Sequence, residues 1–226
     1  MSSILVLTAV DVEARGLARH LGLAAVPGRP WPHFRAGVLE VVCVGPRAAR
    51  LGERSGWREP TLVVSAGACG ALAPDLAVGA LVVPEAVIGP DGTRRLTASR
   101  PALVRAGILL TVSEVVTTPS DKARLWIETG AVAVDTESSV ILEWASAQGV
   151  PATVVRGVSD GAASGVPRDL AAVVEPTGRV SRGHALRAML ARPAALADAI
   201  ALGRGTAVAL KTVAGALARL ARASAG

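Results

Sequence analysis

The chain has 226 residues, of which 51% are hydrophobic and 19% are charged, and its formal net charge is +6. This composition excludes a disordered chain, and the length fits one α/β domain, which we expect to span residues 1–226. The longest apolar runs have the length of strands, so the sequence predicts neither a signal peptide nor a membrane span and favours a cytoplasmic protein. Cys43 and Cys69 fit a reducing compartment as small core residues.

The positive charge comes almost entirely from arginine, because the sequence contains only two lysines. Its arginines are scattered and are not interleaved with aromatic residues, which argues against a nucleic-acid partner. A local concentration of basic residues occurs toward the C-terminus, at Arg179, Arg182, Arg187, Arg192, Arg204, Lys211, Arg219 and Arg222.

Apolar runs in the first half of the chain alternate with helix and turn signals. They predict strands over 4–10, 38–44 and 62–65, and a strand region over 78–88 that Pro84 interrupts. A helix is expected to begin near Val12, with Asp11 as its cap. The segment from Ala66 to Gly70 is predicted to be a glycine loop, and residues 89–92 are predicted to form a turn.

The second half continues the alternation. It predicts strands over 108–116, 131–134 and 151–158, and helices over 101–106, 120–129 with Ser120 as cap, and 138–148. An Ala- and Leu-rich helical segment over 193–224 follows, with Leu202, Val213, Leu217 and Leu220 on one apolar face. Strands that alternate with helices indicate an α/β class, which we expect to be a single-domain, three-layer α/β/α fold with a mixed central sheet.

Polar side chains follow several of the predicted strands, where ligands of open α/β sheets bind. Glu13 follows the first strand, Asp135 and Glu137 follow the strand at 131–134, and Asp160 follows the strand at 151–158. The sequence shows no base-paired nucleophile, no metal-ligand spacing and no phosphate-binding glycine motif, so no metal and no cofactor are expected. Clustered carboxylates suit a cationic transition state, such as cleavage at an anomeric carbon.

Four motifs in order resemble the purine nucleoside phosphorylase/nucleosidase superfamily. The first is Ile4-Leu-Val-Leu-Thr-Ala-Val-Asp-Val-Glu-Ala, similar to its opening strand and catalytic-glutamate helix, and the second is the glycine-containing run from Leu62 to Ala86. Ala133-Val-Asp-Thr-Glu-Ser resembles its ribose-binding segment, and Val155-Arg-Gly-Val-Ser-Asp-Gly-Ala resembles the segment that carries its base-protonating Asp. The resemblance implies the fold of that superfamily and an enzyme that cleaves N-glycosidic bonds.

The resemblance also implies roles for individual residues. Asp160 would protonate the purine at N7, Glu137 would hold the ribose hydroxyls, and Glu13 would position or deprotonate a water. Residues expected to contact the substrate are Ala68, Cys69, Gly70, Val116, Thr117, Asp135, Thr136 and Ser159.

Three positions depart from the family pattern or bear on the second reactant. Thr136 stands in place of the usual Met beneath the ribose, and Ala68 stands where phosphorylases commonly carry a hydroxyl residue. Thr136 removes apolar contact at the sugar face, whereas Ala68 and the lack of an Arg immediately before its glycine segment weaken phosphorolysis and leave hydrolysis open. Arg47 is the candidate phosphate ligand if phosphate is the co-substrate.

Within the superfamily the chain looks most similar to the hopanoid-associated phosphorylases, on motifs that include Pro84-Glu-Ala-Val-Ile-Gly-Pro-Asp-Gly and Thr118-Pro-Ser-Asp-Lys-Ala. The expected substrate is therefore a 5′-modified adenosine such as adenosylhopane. The alternatives are a methylthioadenosine/S-adenosylhomocysteine or futalosine nucleosidase, and an inactive nucleoside-binding protein. A homodimer is expected, and the Arg-flanked C-terminal helix is a candidate for peripheral contact with an anionic membrane.

Overall fold

Strands and helices alternate along the chain, and the computed structural model describes residues 2–165 and 194–225. The strands are β1 (Ile4–Thr8), β2 (Ala24–Ala25), β3 (His33–Ala36), β4 (Leu39–Cys43), β5 (Leu62–Ala71), β6 (Leu81–Val82), β7 (Ala86–Ile88), β8 (Arg94–Leu96), β9 (Ile108–Thr111), β10 (Ala133–Asp135) and β11 (Ala152–Asp160). The α-helices are α1 (Asp11–Leu21), α2 (Pro119–Thr129), α3 (Ser138–Ala147) and α4 (Ala194–Ala225). Two short 3-10 helices, Pro46–Ala48 and Leu51–Glu53, follow β4.

Strand β5 is the centre of one mixed sheet. It pairs in parallel with β1 and along most of its length with β11, and its last two residues pair antiparallel with β10. The strand order is β2-β3-β4-β1-β5-β10-β9-β7-β8, with β11 pairing with both β5 and β6. The predicted mixed central sheet is confirmed.

Alternate residues of the strands pack into two different hydrophobic cores. Val6 of β1 packs with Leu17 of α1 and Leu217 of α4, whereas Leu7 packs with Ile141 of α3. Because successive side chains of a strand point to opposite faces, α1 and α4 cover one face of the sheet and α3 covers the other. This arrangement confirms the predicted three layers, while the extent of the domain over residues 1–226 stays a prediction.

Helix α4 lies directly on β11. A Cβ added at Gly157 would stand 2.5 Å from the Ala209 carbonyl oxygen, so only glycine lets the two backbones approach this closely. On the predicted apolar face Val213, Leu217 and Leu220 are buried, and Leu202 is half-buried. The basic residues Arg204, Lys211, Arg219 and Arg222 are exposed. Of the described helices, α4 alone has a segment, Ile200–Ser224, that by length and composition could cross a membrane, and this segment is partly buried in the domain.

The glycine segment was predicted wrongly as a loop. Residues 66–70 continue β5 as a strand, and β11 and β10 both pair with them. Glycine weakens a strand because it lacks a side chain and loses more backbone entropy, but here pairing with two neighbouring strands holds the segment extended.

Several local boundaries also differ from the predictions. The predicted helix over 101–106 is a turn closed by a bridge between Arg100 and Leu103, and the predicted strand over 108–116 ends at Thr111. Asp11 is the first residue of α1 instead of its cap, and α2 is capped by Thr118, whose hydroxyl accepts from the Asp121 amide at 3.1 Å. The basic residues predicted at 179, 182, 187 and 192 lie outside the described residues.

Candidate active site

A cavity of about 1150 Å³ opens where β1, β5, β9, β10 and β11 end. All the residues predicted for the site line this cavity: Glu13, Arg47, Ala68, Cys69, Gly70, Val116, Thr117, Asp135, Thr136, Glu137, Ser159 and Asp160. These residues come from six separate segments, so the sheet topology brings together groups up to about 150 residues apart in sequence. Their roles in catalysis and binding remain proposals.

Glu13 is held by the backbone of two strand ends. Its Oε2 accepts from the amides of Ala9 at 3.1 Å and Val10 at 3.3 Å, and its Oε1 accepts from the Ala68 amide at 2.8 Å. Gly67 allows this approach, because a Cβ at that position would stand 2.4 Å from Glu13 Oε1. Burial raises the pKa of Glu13, although the nearby Arg156 and the amide hydrogen bonds oppose the rise. A carboxyl with a raised pKa and a fixed orientation is suited to take a proton from a water.

Arg156 of β11 lies beneath the acidic residues and is 1% exposed. Its Nη2 forms an ion pair with Asp135 Oδ2 at 2.7 Å and lies 3.6 Å from Glu137 Oε2, and its Nη1 donates to the Ala68 carbonyl at 3.3 Å. One guanidinium therefore links the ends of β5, β10 and β11. Arg156 was not predicted as a site residue, although it lies inside the motif that begins at Val155.

Asp135 belongs to the frame of the site. Its Oδ1 accepts from the Thr111 hydroxyl at 2.7 Å, and its Oδ2 accepts from the Ser138 amide at 3.2 Å in addition to the Arg156 ion pair. The side chain is 1% exposed. Because protein groups occupy both oxygens, the geometry suits a residue that orients Arg156 better than one whose carboxylate binds substrate.

Glu137 is the second acidic group close to Arg156 Nη2. Its Oε1 accepts from the Arg47 amide at 3.0 Å and from the Thr136 hydroxyl. Thr136 thus supplies a hydrogen bond to Glu137 where the family's usual Met supplies apolar contact. Arg47 adopts a left-handed backbone conformation, with φ of 56°, which directs its amide to this carboxylate.

Asp160 ends β11 and contacts two side chains. Its Oδ1 accepts from the Ser159 hydroxyl at 2.6 Å, and its Oδ2 accepts from the Lys122 ammonium. Lys122 comes from α2, is 1% exposed and also donates to the Gly161 carbonyl at 2.8 Å. Lys122 was not predicted as a site residue, although it is one of only two lysines and lies in the motif Thr118-Pro-Ser-Asp-Lys-Ala.

One part of the cavity wall is aliphatic and is formed by Val112, Val115, Val116 and Leu202, and the wall also carries Glu114, Asp121 and Arg124. None of the described residues that line it is aromatic. Neither Phe34 nor Trp126 is among the lining residues, and each packs against a hydrophobic core.

Neither cysteine chemistry nor metal ligation is apparent in the part of the chain that the structure describes. Burial raises the pKa of Cys69 well above its usual range, which keeps its thiol protonated. No group of three or more His, Cys, Asp or Glu side chains in residues 2–165 and 194–225 could hold a metal ion.

The ionisation of Glu137 gives a pH-dependent prediction for stability. Burial raises the pKa of Glu137 from 4.5 to about 7, despite the lowering effect of Arg156. The folded state then keeps a proton that the unfolded state releases, so this group's contribution is fully present below its unfolded pKa and is lost as pH rises through about 7. We expect Glu137→Gln to gain stability relative to the wild type between about pH 5 and about pH 8, as measured by urea unfolding. The control is Glu143→Gln, the same change at an exposed position. If the unfolding free energy of Glu137→Gln depends on pH in the same way as that of the wild type, the raised pKa of Glu137 is contradicted.

Comparisons with known proteins agree with this geometry. A family model described as the phosphorylase superfamily matches residues 46–102 and 96–191. No curated protein sequence matches the chain. Among solved structures, the chain is similar to futalosine hydrolase of Helicobacter pylori, with a TM-score of 0.68 and 15% identity over 97% of both chains. A methylthioadenosine/S-adenosylhomocysteine nucleosidase from Neisseria meningitidis in complex with methylthio-immucillin-A gives a TM-score of 0.68 and 16% identity, over 97% of this chain and 98% of that one. At these identities the structures show a shared fold.

Proposed function

The chain belongs to the phosphorylase superfamily and is a nucleoside phosphorylase or nucleosidase, and from this premise we propose that it releases adenine from a 5′-modified adenosine by hydrolysis. The observation that carries the proposal is the meeting of Glu13, Glu137 and Asp160 at one cavity.

Each of the three carboxyl groups has a different role in the proposed reaction. Asp160 gives a proton to N7, so that the purine leaves as a neutral base, and Glu137 binds the ribose hydroxyls and stabilises the oxocarbenium charge. Glu13 orients the attacking water and takes its proton. The hydrogen bonds from the Ala9, Val10 and Ala68 amides fix this carboxyl before substrate arrives, which supports its role as base.

The same residues favour water over phosphate as the second reactant. A phosphate placed next to Glu13 would meet like charge, and Ala68 offers no hydroxyl to bind it. Arg47 lines the cavity, and its guanidinium donates to the Ser113 carbonyl at 3.4 Å. The contact with Ser113 occupies part of the Arg47 guanidinium and leaves fewer of its donors free to hold a phosphate.

The experiment is a product analysis on the purified protein. It is incubated with methylthioadenosine, S-adenosylhomocysteine, futalosine and adenosylhopane, each with and without inorganic phosphate, and the base and the sugar product are identified. We expect adenine and the free 5′-modified ribose at a rate that phosphate does not change. A ribose 1-phosphate product would replace hydrolysis with phosphorolysis, and nucleoside binding without any turnover would show an inactive binding protein.

For the 5′ substituent we propose a hopane lipid. The motifs shared with the hopanoid-associated phosphorylases support this choice, and so does the aliphatic wall formed by Val112, Val115, Val116 and Leu202. In the same panel, adenosylhopane should then have the highest kcat/KM. A preference for methylthioadenosine, S-adenosylhomocysteine or futalosine would assign one of the alternative activities.

We further propose that the enzyme is a cytoplasmic homodimer that touches the membrane through α4. The spacing of Ile200, Arg204, Val208 and Lys211 places apolar and basic residues on one exposed side of that helix. Sedimentation with anionic liposomes at low salt should recover the protein with the lipid, and Ile200→Glu should reduce that fraction. If the wild type and Ile200→Glu are recovered with the liposomes to the same extent, or if neither is recovered, the membrane contact is contradicted. The dimer is tested separately by sedimentation without liposomes, where the mass of a monomer would contradict it.

A further inference from the structure

Lys122 is a buried charged group at the cavity that the proposed reaction does not yet use. Its side chain is 1% exposed, lines the cavity and contacts Asp160 Oδ2. Burying an ammonium costs several kcal/mol unless hydrogen bonds compensate. At Lys122 those compensating bonds go to Asp160 and to the carbonyl of Gly161.

The Asp160 carboxyl and the Gly161 carbonyl together fix the position of the Lys122 ammonium. Gly161 directly follows Asp160, so Nζ bridges the side chain of one residue and the backbone of the next. Ser159 holds the other oxygen of Asp160 at 2.6 Å. Lys122 and Ser159 therefore fix the Asp160 carboxyl from both sides, and only Lys122 is a cationic acid.

We propose that Lys122 is the positioning residue of Asp160 and the source of the proton that Asp160 passes to the purine. The inference rests on the proposed function, because it concerns the acid of that reaction. A buried ammonium in hydrogen-bond contact with the acid is the nearest protein group able to resupply it.

The proposed step conserves both protons and electrons. The glycosidic C–N bond breaks with its electron pair moving onto the purine. One proton passes from Asp160 to N7 and one passes from Lys122 Nζ to Asp160, so Asp160 is unchanged and Lys122 becomes neutral. Water adds to C1′ and releases one proton to Glu13, and exchange with solvent after product release returns Glu13 and Lys122 to their starting states.

The test compares variants in the full-length protein with a water-soluble 5′-modified adenosine. Lys122→Met is expected to lower kcat by about tenfold or more with KM changed by less than about threefold. In an Asp160→Asn background the same substitution should have almost no further effect, because Lys122 acts through Asp160. The matched control is Lys211→Met, the same change at the chain's other lysine, which is exposed on α4.

A second variant separates proton supply from structure. Lys122→Ala should recover several-fold in kcat when ethylammonium is added, whereas potassium at equal ionic strength should not restore activity. Additive effects of Lys122→Met and Asp160→Asn, a Lys122→Met kcat within about threefold of wild type, or no rescue by ethylammonium would overturn the inference. Failure of the proposed function is distinguishable, because then the wild type itself would release no adenine.

Discussion

Asp160→Asn should abolish most adenine release while leaving the protein folded. The change removes the carboxyl proton but keeps the size of the side chain, and loss of a general acid typically lowers a rate by about 10²–10⁴-fold. The side chain is 13% exposed, so the substitution does not open a core cavity. The measurement is kcat for adenine release, with the unfolding transition measured in parallel.

Asp91→Asn provides the matched control for this change. Asp91 lies in the turn between β7 and β8, where its side chain is 57% exposed and accepts from Thr93. Its kcat should equal that of the wild type. If Asp160→Asn retains more than about a tenth of the wild-type kcat, Asp160 is not the acid that protonates the leaving base.

Arg156→Met should cause the largest loss of stability. It removes the guanidinium from between Asp135 and Glu137, and the Ser65 hydroxyl also loses a donor at 2.9 Å. Removing one partner of a buried ion pair leaves an uncompensated charge and typically costs about 3–5 kcal/mol. This is a large part of the ~5–15 kcal/mol that holds a typical domain folded. Urea unfolding measures the loss, and adenine release should fall with it.

Two further variants make this result specific. Arg156→Lys keeps the charge but loses the fork that spans Asp135 and Ala68, so its stability should lie between those of the wild type and Arg156→Met. Arg219→Met, at an exposed position of α4, should change the unfolding free energy by less than about 0.5 kcal/mol. A loss below about 1 kcal/mol for Arg156→Met would show that Arg156 does not hold the site together.

The predictable part of this molecule lies in its strands and its acidic residues. Continuous apolar runs predicted β1, β4 and β11, because strands covered on both faces carry few polar residues. The carboxyl groups at their ends were predicted from the rule that parallel strands present their termini at one edge. The structure places Glu13, Glu137 and Asp160 on one cavity, as this rule requires.

The parts that were missed depend on contacts between distant residues. Lys122 stands 38 positions before Asp160, and Arg156 meets Glu13 and Asp135 only once β5 and β11 have paired. No local sequence pattern indicates which distant residues will become such partners. The glycine run at 66–70 looked like a loop because its strand character comes from pairing with β10 and β11 instead of from its own side chains.

A crystal structure with adenine bound would test the assignment of the active site. We expect adenine in the cavity between β5, β10 and β11, with N7 within hydrogen-bond distance of the Asp160 carboxyl. Glu13 and Glu137 should lie beyond N9, where the ribose would be attached. Adenine bound outside this cavity, or with N7 turned away from Asp160, would contradict the assignment of the active site.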